Sequence, residues 1–450
     1  MLKKTLKTRH LNMIALGGSI GTGMFLTSGI AINQAGPGGA LLAYIIISIL
    51  VFFLISSLGE LSTYMPSTGS FCEYSANFIN KPFGYAMSIN YWLNWAITIA
   101  AEISAAVIIT KLWFPHGSDL FFSFSFLLLI LVLNFFSVKM FGEIEWVLSF
   151  IKISSIVFFL LCGFYLIYKQ PDFGVHNLFI LDGPFHNGFK GFLNVFLIAG
   201  FAFQGSELIG INSGETENPE VSIPKAVKNV FWRLFMFYIL GTLVIGLLVP
   251  FNKLATDGNI HSSPFVIVFN HYFINKTVIN VLNFVILVAV ISAANSSMYS
   301  ASRTLWYMSV SKYVPAIFSK INKFGLPMYS IGATTIVGSL VFLSSFYGSG
   351  YMFNRLLNIS SSCGFIAWFG IALSHYYFRK NHLESVDLLK YKSLLFPFGP
   401  ILSMIIIVFV IAGQIYTIQG NITLVSIIDS YGAIFLFLLF MFYYKFIKMV

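Results

Sequence analysis

Residues 17–23 read Gly17-Gly18-Ser19-Ile20-Gly21-Thr22-Gly23, inside an apolar run that begins at Leu11 and continues to Phe25 and Leu26. Four glycines in seven residues oppose a helix. Each interior glycine costs about 0.5–1 kcal/mol relative to alanine. Helix-breaking backbone at membrane depth is tolerated only where it is buried in protein or lines a watery cavity. The reading of this stretch therefore decides between a bundle of plain rods and a bundle with a site at its centre.

The rest of the chain supplies the membrane. Of 450 residues, 57% are hydrophobic and 9% charged, against about 25% charged in soluble domains. Mean hydropathy is +0.84. The apolar runs are helix-length, about 18–25 residues, whereas a membrane barrel shows alternating segments of about ten. They predict an all-α membrane protein of about twelve transmembrane helices, over 11–31, 38–58, 83–112, 120–140, 145–168, 188–211, 230–250, 273–302, 328–346, 351–377, 396–418 and 428–447. Residues 1–10 form a tail. The first run is too long for a signal-peptide core and lacks a small-residue cleavage site, so it is expected to remain. The short loops leave no room for a separate soluble domain. Three distant cysteines, Cys72, Cys162 and Cys363, suggest neither a disulfide framework nor a metal site.

The net charge of +10 reads as topology rather than nucleic-acid binding. With the N-terminus inside, nineteen of the 26 Lys and Arg residues, Lys3 and Lys448 among them, fall in inner segments and six in outer ones. Lys152 falls within a span. This bias predicts an even number of spans with both termini cytoplasmic.

Three charges lie deep inside predicted spans: Glu102 in NYWLNWAITIAAEISAAV, Glu207 in IAGFAFQGSELIG and Lys152 in EWVLSFIKISSIV. Each costs at least about 2.5–3.5 kcal/mol at mid-helix, so each is a candidate functional residue. Plainer readings compete. Lys152 is about 10 Å along a helix from Glu145 and could snorkel to the surface. Glu102 could be a silent packing partner, and Glu207 a structural acceptor.

A broken helix exposes what an intact one hides. One half presents free N–H groups, which attract a carboxylate. The other presents free carbonyls, which attract an ammonium or a cation. Both poles of a zwitterionic amino acid can be held by backbone alone. A GxxxG packing face explains Gly17 and Gly21, but not four glycines with Ser19 and Thr22. GGSIG also matches the nucleophile elbow of hydrolases, but the strand–turn–helix context and ordered acid and histidine are lacking. No enzyme is expected. A second interruption, Phe201-Ala202-Phe203-Gln204-Gly205-Ser206-Glu207, falls in the sixth run as GGSIGTG falls in the first. Interrupted helices in corresponding positions of two halves point to a transporter site. Residues 11–168 and 188–377 would then be inverted repeats of five spans, with discontinuous helices 1 and 6, and 396–447 would add two spans.

RHLNMIALGGSIGTGMFLTSG, AGPGGALLAYIII, SLGELSTYMPSTGSF, FGEIEWVLSFIK, FQGSELIGINSGETENPEVSIPKAV and ISAANSSMYSASRTLW resemble the bacterial amino-acid transporter family of the amino acid–polyamine–organocation superfamily. The likeness runs from about residue 7 to about residue 445. NYWLNWAITIA, ELIGINSGETENP and SPFVIVF are most similar to its lysine-carrying members.

The resemblance implies roles. The amides around Gly21, Thr22 and Gly23 would take the substrate carboxylate. The carbonyls of Ser19, Phe201 and Gln204 would take its α-ammonium, with the Phe201 ring as a gate. Lys152 would carry the coupling proton where sodium-dependent relatives bind sodium, so no sodium and no cofactor are expected. Glu207 would take part in proton sensing or gating. Glu102 would read a cationic side chain, with proton carriage or interhelical pairing as its other implied roles. Asn295 and Ser296 are polar, central pocket candidates. The implied function is proton-coupled import of an amino acid, lysine above all, across the bacterial inner membrane by alternating access. An exchanger of amino acid for amine, or a lysine-binding membrane sensor, would share these features.

GETENPEVSIPKAVKNVFWR puts Glu215, Glu217 and Glu220 before Lys225, Lys228 and Arg233. It reads as a solvated loop, or as salt bridges that close an inner gate.

Overall fold

A computed structural model describes residues 4–169, 171–254, 263–273, 275–382, 389–417 and 424–447. Residues 1–3 of the expected tail, residues 274 and 418 of expected spans, and Lys448 lie outside them. Among the described residues the regular structure is helical, apart from an isolated bridge between Leu6 and Thr216.

The glycine-rich segment does break. α1 (Thr8–Ser19) ends where Ile20 (φ −110°, ψ 88°) and Gly21 (φ −136°, ψ −138°) leave the helical region. Helix resumes as the single turn α2 (Thr22–Phe25) and continues as α3 (Thr27–Tyr64). α3 carries one non-helical residue, Gly36, at φ +73° and ψ 166°, just before Pro37. This left-handed conformation favours glycine, and a Cβ there would strike the Pro184 carbonyl. The first two expected spans meet at that bend.

α4 (Ser70–Phe78), α5 (Lys81–Thr110), α6 (Asp119–Leu133), α7 (Val138–Lys169) and α8 (Pro171–Leu178) complete the first half. The second interruption is also real. α9 (Gly188–Phe203) stops, Gln204 (φ −59°, ψ 149°) and Gly205 (φ +98°) turn the chain, and α10 (Leu208–Asn212) restarts it. α11 (Pro219–Leu248), α12 (Pro264–Phe273), α13 (Lys276–Val310), α14 (Met328–Gly338), α15 (Ser344–Tyr347) and α16 (Ser349–Asn381) follow. α17 (Phe398–Thr417) and α18 (Leu424–Ile447) close the described chain. Short capped connections set helix starts: Asn80 Oδ1 accepts from Phe83 N at 2.9 Å ahead of α5, and Asn275 Oδ1 from Thr277 N at 2.9 Å ahead of α13.

Ten of the described helical segments are long and apolar enough to cross a membrane. The expected span 120–140 appears as the 15-residue α6, and the first expected span is the divided one. α6 ends early because the Asn134 amide turns back onto Ile130 O (3.0 Å) and out to Asn295 Oδ1 (2.8 Å). α7 therefore starts at Val138 rather than near 145, which puts Glu145 inside a helix.

α5 packs along α13 and α16, and α3 along α9 and α11. α1 lies against α7, α11 and α13. The most apolar stretch of α5 is 83% buried and that of α18 only 11%, so α5 is central and α18 peripheral. At one end of the bundle, Arg379 holds the buried Glu60 carboxylate with bonds of 2.6 and 2.7 Å, and Ser393 N adds a third at 2.6 Å. This joins the ends of α3 and α16 to the segment before α17.

Candidate functional site

The two breaks touch. A Cβ built on Gly205 would lie 2.5 Å from the Gly18 carbonyl carbon and 2.8 Å from Ser19 N. One on Gly23 would lie 2.5 Å from Ala202 Cα. With positive φ at Gly205 as well, only glycine lets the two backbones meet this closely. Around this meeting point Ser19, Gly21, Gly23, Glu102, Phe201 and Gln204 line one small cavity. It holds about 10 Å³, the space of one water.

The polar groups of the cavity are unequally satisfied. Glu102 Oε1 accepts from Thr22 Oγ1 at 2.9 Å, and the Thr22 main-chain N–H faces the same carboxylate. Glu102 Oε2 is buried without a hydrogen-bond partner among the described residues. Trp95, which also lines the cavity, keeps its indole N–H unpartnered there too. Gln204 is pinned away from rotation: Asn94 Nδ2 donates to its Oε1 (3.1 Å), and its Nε2 donates to Ser360 O (3.2 Å).

Glu207 is fully engaged. It accepts from Gly205 N (3.2 Å), Trp368 Nε1 (3.3 Å) and Tyr91 OH (3.4 Å), which ties the second break to α5 and α16. Lys152 is fully buried and donates to Gly17 O at 2.6 Å, so it does not snorkel to the surface. It sits behind the first break and does not line the cavity. Asn295 turns away from the cavity, donating to Glu145 Oε1 at 2.7 Å. Ser296 is buried beside it and lines no part of the cavity. On α13, Ala293 and Ser297 take the lining positions instead.

Two groups outside the sequence expectations complete the site. Tyr238, on α11, donates its hydroxyl to the Ser19 carbonyl. Its signal was a lone phenol in the run FWRLFMFYIL. Glu145, the first residue of the expected span 145–168, is wholly buried in α7 and bonded to α13.

The two ends of the site differ. On the Thr27 side, a cleft of about 700 Å³ is lined by Thr27, Gln34, Asn194 and Asn358, with the Arg355–Asp429 ion pair at its wall. On the Thr8 side the chain is sealed. Thr5 N and Leu6 N both donate to Glu215 O at 3.0 Å, and Glu217 N to Leu6 O at 3.0 Å. The Glu215 carboxylate is buried between Tyr299 OH (2.7 Å) and Arg303 Nε (3.3 Å). The Phe141 ring stacks on Tyr299 at 4.2 Å. This overturns the solvated-loop reading for Glu215: its partner is Arg303 of α13, while Lys225, Lys228 and Arg233 are exposed. Glu220, also exposed, pairs with Lys390.

The amino acid permease family profile matches residues 10–449. The lysine-specific permease LysP of Escherichia coli K12 is 43% identical over 99% of this chain and 94% of its own length. The lysine-specific permease LysP of Lactococcus lactis is 44% identical over 99% and 90%. The histidine permease HisP of Lactococcus lactis is 44% identical over 90% and 86%.

Proposed function

The chain belongs to the amino acid permease family, and on that premise we propose that it imports lysine together with protons across a bacterial inner membrane by alternating access. The observation that carries this reading is the unpartnered Glu102 oxygen in a cavity walled by two broken helices. A buried carboxylate oxygen with no donor favours a cation or a hydrogen-bond donor, and a substrate ammonium supplies both. The lysine-specific names of two relatives with near-complete overlap support the substrate.

In this reading the amides near Gly21, Thr22 and Gly23 hold the carboxylate. The carbonyls of Ser19, Phe201 and Gln204 hold the α-ammonium, and Phe201 closes over it. Glu102 reads the side-chain ammonium. The cavity is far smaller than the ~300–1,000 Å³ of a ligand pocket, so substrate enters only when the walls part. The cleft on the Thr27 side and the seal on the Thr8 side suit an arrangement closed to the cytoplasm. The 11–168 and 188–377 segments would act as inverted repeats, since each begins with its own broken helix. The Lys152 amine takes a proton from the outer water and yields it to the inner water after Gly17 moves away. Glu207 senses that change through Gly205.

Proteoliposomes test this reading. Lys152→Ala loses lysine accumulation driven by an inward proton gradient, yet still exchanges internal for external lysine. Concentrative uptake by Lys152→Ala would refute proton coupling through this residue. A demand for internal amine before any uptake would instead establish an exchanger. Thermal stabilisation across the amino acids ranks the substrates, because ligand binding raises stability by linkage.

A further inference from the structure

We infer that Glu145 is the fixed counter-charge of Lys152, a positioning residue for proton coupling; this rests on Lys152 being the coupling group. Glu145 precedes Lys152 by seven residues in α7, two turns of helix, so both side chains leave the same face. Both are fully buried. They meet at Gly17. Lys152 Nζ donates to the Gly17 carbonyl at 2.6 Å, and a Cβ built on Gly17 would lie 3.4 Å from Glu145 Oε2.

The surroundings of Glu145 suit its ionised form. Ser292 Oγ donates to Oε2 at 2.8 Å and Asn295 Nδ2 to Oε1 at 2.7 Å. Asn134 Nδ2 donates to Asn295 Oδ1 at 2.8 Å, which orients the Asn295 amide with its NH₂ toward the carboxylate. Asn295 can only donate to Oε1, and Ser292 has a hydroxyl to donate to Oε2, so each carboxylate oxygen has a donor available to its ionised form. The donors are neutral, so the negative charge is left for Lys152.

Two carboxylates, Glu145 and Glu102, lie near enough to act electrostatically on the Lys152 ammonium. α1 presents the Gly17 carbonyl, α13 presents Ser292 and Asn295, and α5 presents Glu102. Glu102 is committed elsewhere: it binds Thr22 and lines the cavity, whereas neither Glu145 nor Lys152 does. The buried charges thus sort into a coupling pair behind the break and a lone carboxylate within the site. A buried ammonium without a counter-charge is strongly unfavourable. Glu145 travels with Lys152 on α7, so the pair persists when α1 moves. Withdrawal of the Gly17 carbonyl, not loss of the counter-charge, is then what loosens the proton.

The test is the pH profile of proton-driven lysine uptake in proteoliposomes. Removing the counter-charge lets Lys152 give up its proton at lower pH. Glu145→Gln therefore moves the alkaline limb of the profile toward acid by about one unit or more. Glu145→Asp, which keeps the charge, moves it back toward the wild type. Ser292→Ala, which removes one donor from the carboxylate, gives a smaller shift in the same direction. If the Glu145→Gln profile overlays the wild type while Lys152→Ala fails to accumulate lysine, the inference alone falls. If Lys152→Ala still accumulates lysine, the coupling reading beneath it falls. Should Glu145→Gln not fold, an unshifted Ser292→Ala profile overturns the inference in its place.

Discussion

The Tyr238 hydroxyl donates to the Ser19 carbonyl at 2.7 Å and lies 2.5 Å from the Ala202 carbonyl. One side chain of α11 thus bridges the C-terminal end of α1 and the last turn of α9. Its single proton serves one of the two carbonyls that the breaks leave open. Two of those broken ends are where a substrate ammonium is proposed to bind.

Tyr238→Phe keeps the packing and removes the donor. A buried carbonyl left unpaired costs about 1–3 kcal/mol, so the thermal midpoint of the purified variant falls. Saturating lysine narrows the gap to wild type, because its ammonium reaches the same Ser19 carbonyl. A gap that lysine leaves unchanged would place Tyr238 outside the binding event.

Glu102→Gln removes a charge but keeps a side chain of the same shape. Losing one partner of a buried, charged hydrogen bond costs about 2–5 kcal/mol, a weakening of lysine binding beyond tenfold. Norleucine, which has no side-chain ammonium, loses less. Calorimetric titration of both ligands decides it. Equal losses would reassign Glu102 to the α-ammonium, or to holding the start of α2 through Thr22.

Gly21 faces side chains, where Gly205 faces backbone. A Cβ on Gly21 would lie 2.7 Å from Ala293 Cβ and 3.0 Å from Glu102 Oε1. Gly21→Ala should cut uptake severely, and Ala293→Gly added to it should restore part of the loss, a coupling expected of residues in contact. Gly205→Ala should gain nothing from any side-chain trimming, because its collision is with the Gly18 main chain. Rescue of Gly205→Ala by a side-chain substitution would contradict that contact.

Glu215→Gln strands Arg303 at the sealed end. Breaking a buried ion pair costs about 3–5 kcal/mol, so the sealed arrangement loses population to the opposite one. A cysteine introduced at Ser297 then reacts faster with a membrane-impermeant thiol reagent added from the Thr8 side, measured against wild-type Glu215. Unchanged labelling would show that the seal does not limit access.

Several features were legible because they violate a rule for membrane helices. Four glycines in 17–23, and a glycine among polar residues at 204–207, announce breaks wherever the helices pack. Both breaks occur where the pattern put them. Buried charge was legible only when a run of apolar residues enclosed it, as at Glu102, Lys152 and Glu207. Glu145, Glu60 and Glu215 escaped because each lies near the end of an apolar run, and hydropathy does not distinguish a loop from the last turn of a helix. Their burial depends on partners more than 85 residues away in sequence, Asn295, Arg379 and Arg303.

Sequence alone determined that this chain is a helical membrane protein and that its first and sixth apolar runs are interrupted. Those properties are local: glycine weakens a helix and apolar runs enter a bilayer whatever surrounds them. Tertiary structure decided that the two interruptions abut at Gly18 and Gly205, that Tyr238 closes over them, and that Asn295 serves Glu145 rather than the cavity. Those outcomes follow from which face of each helix meets its neighbour, and helices distant in sequence must pack before a carboxylate acquires its donors or an open carbonyl its hydroxyl.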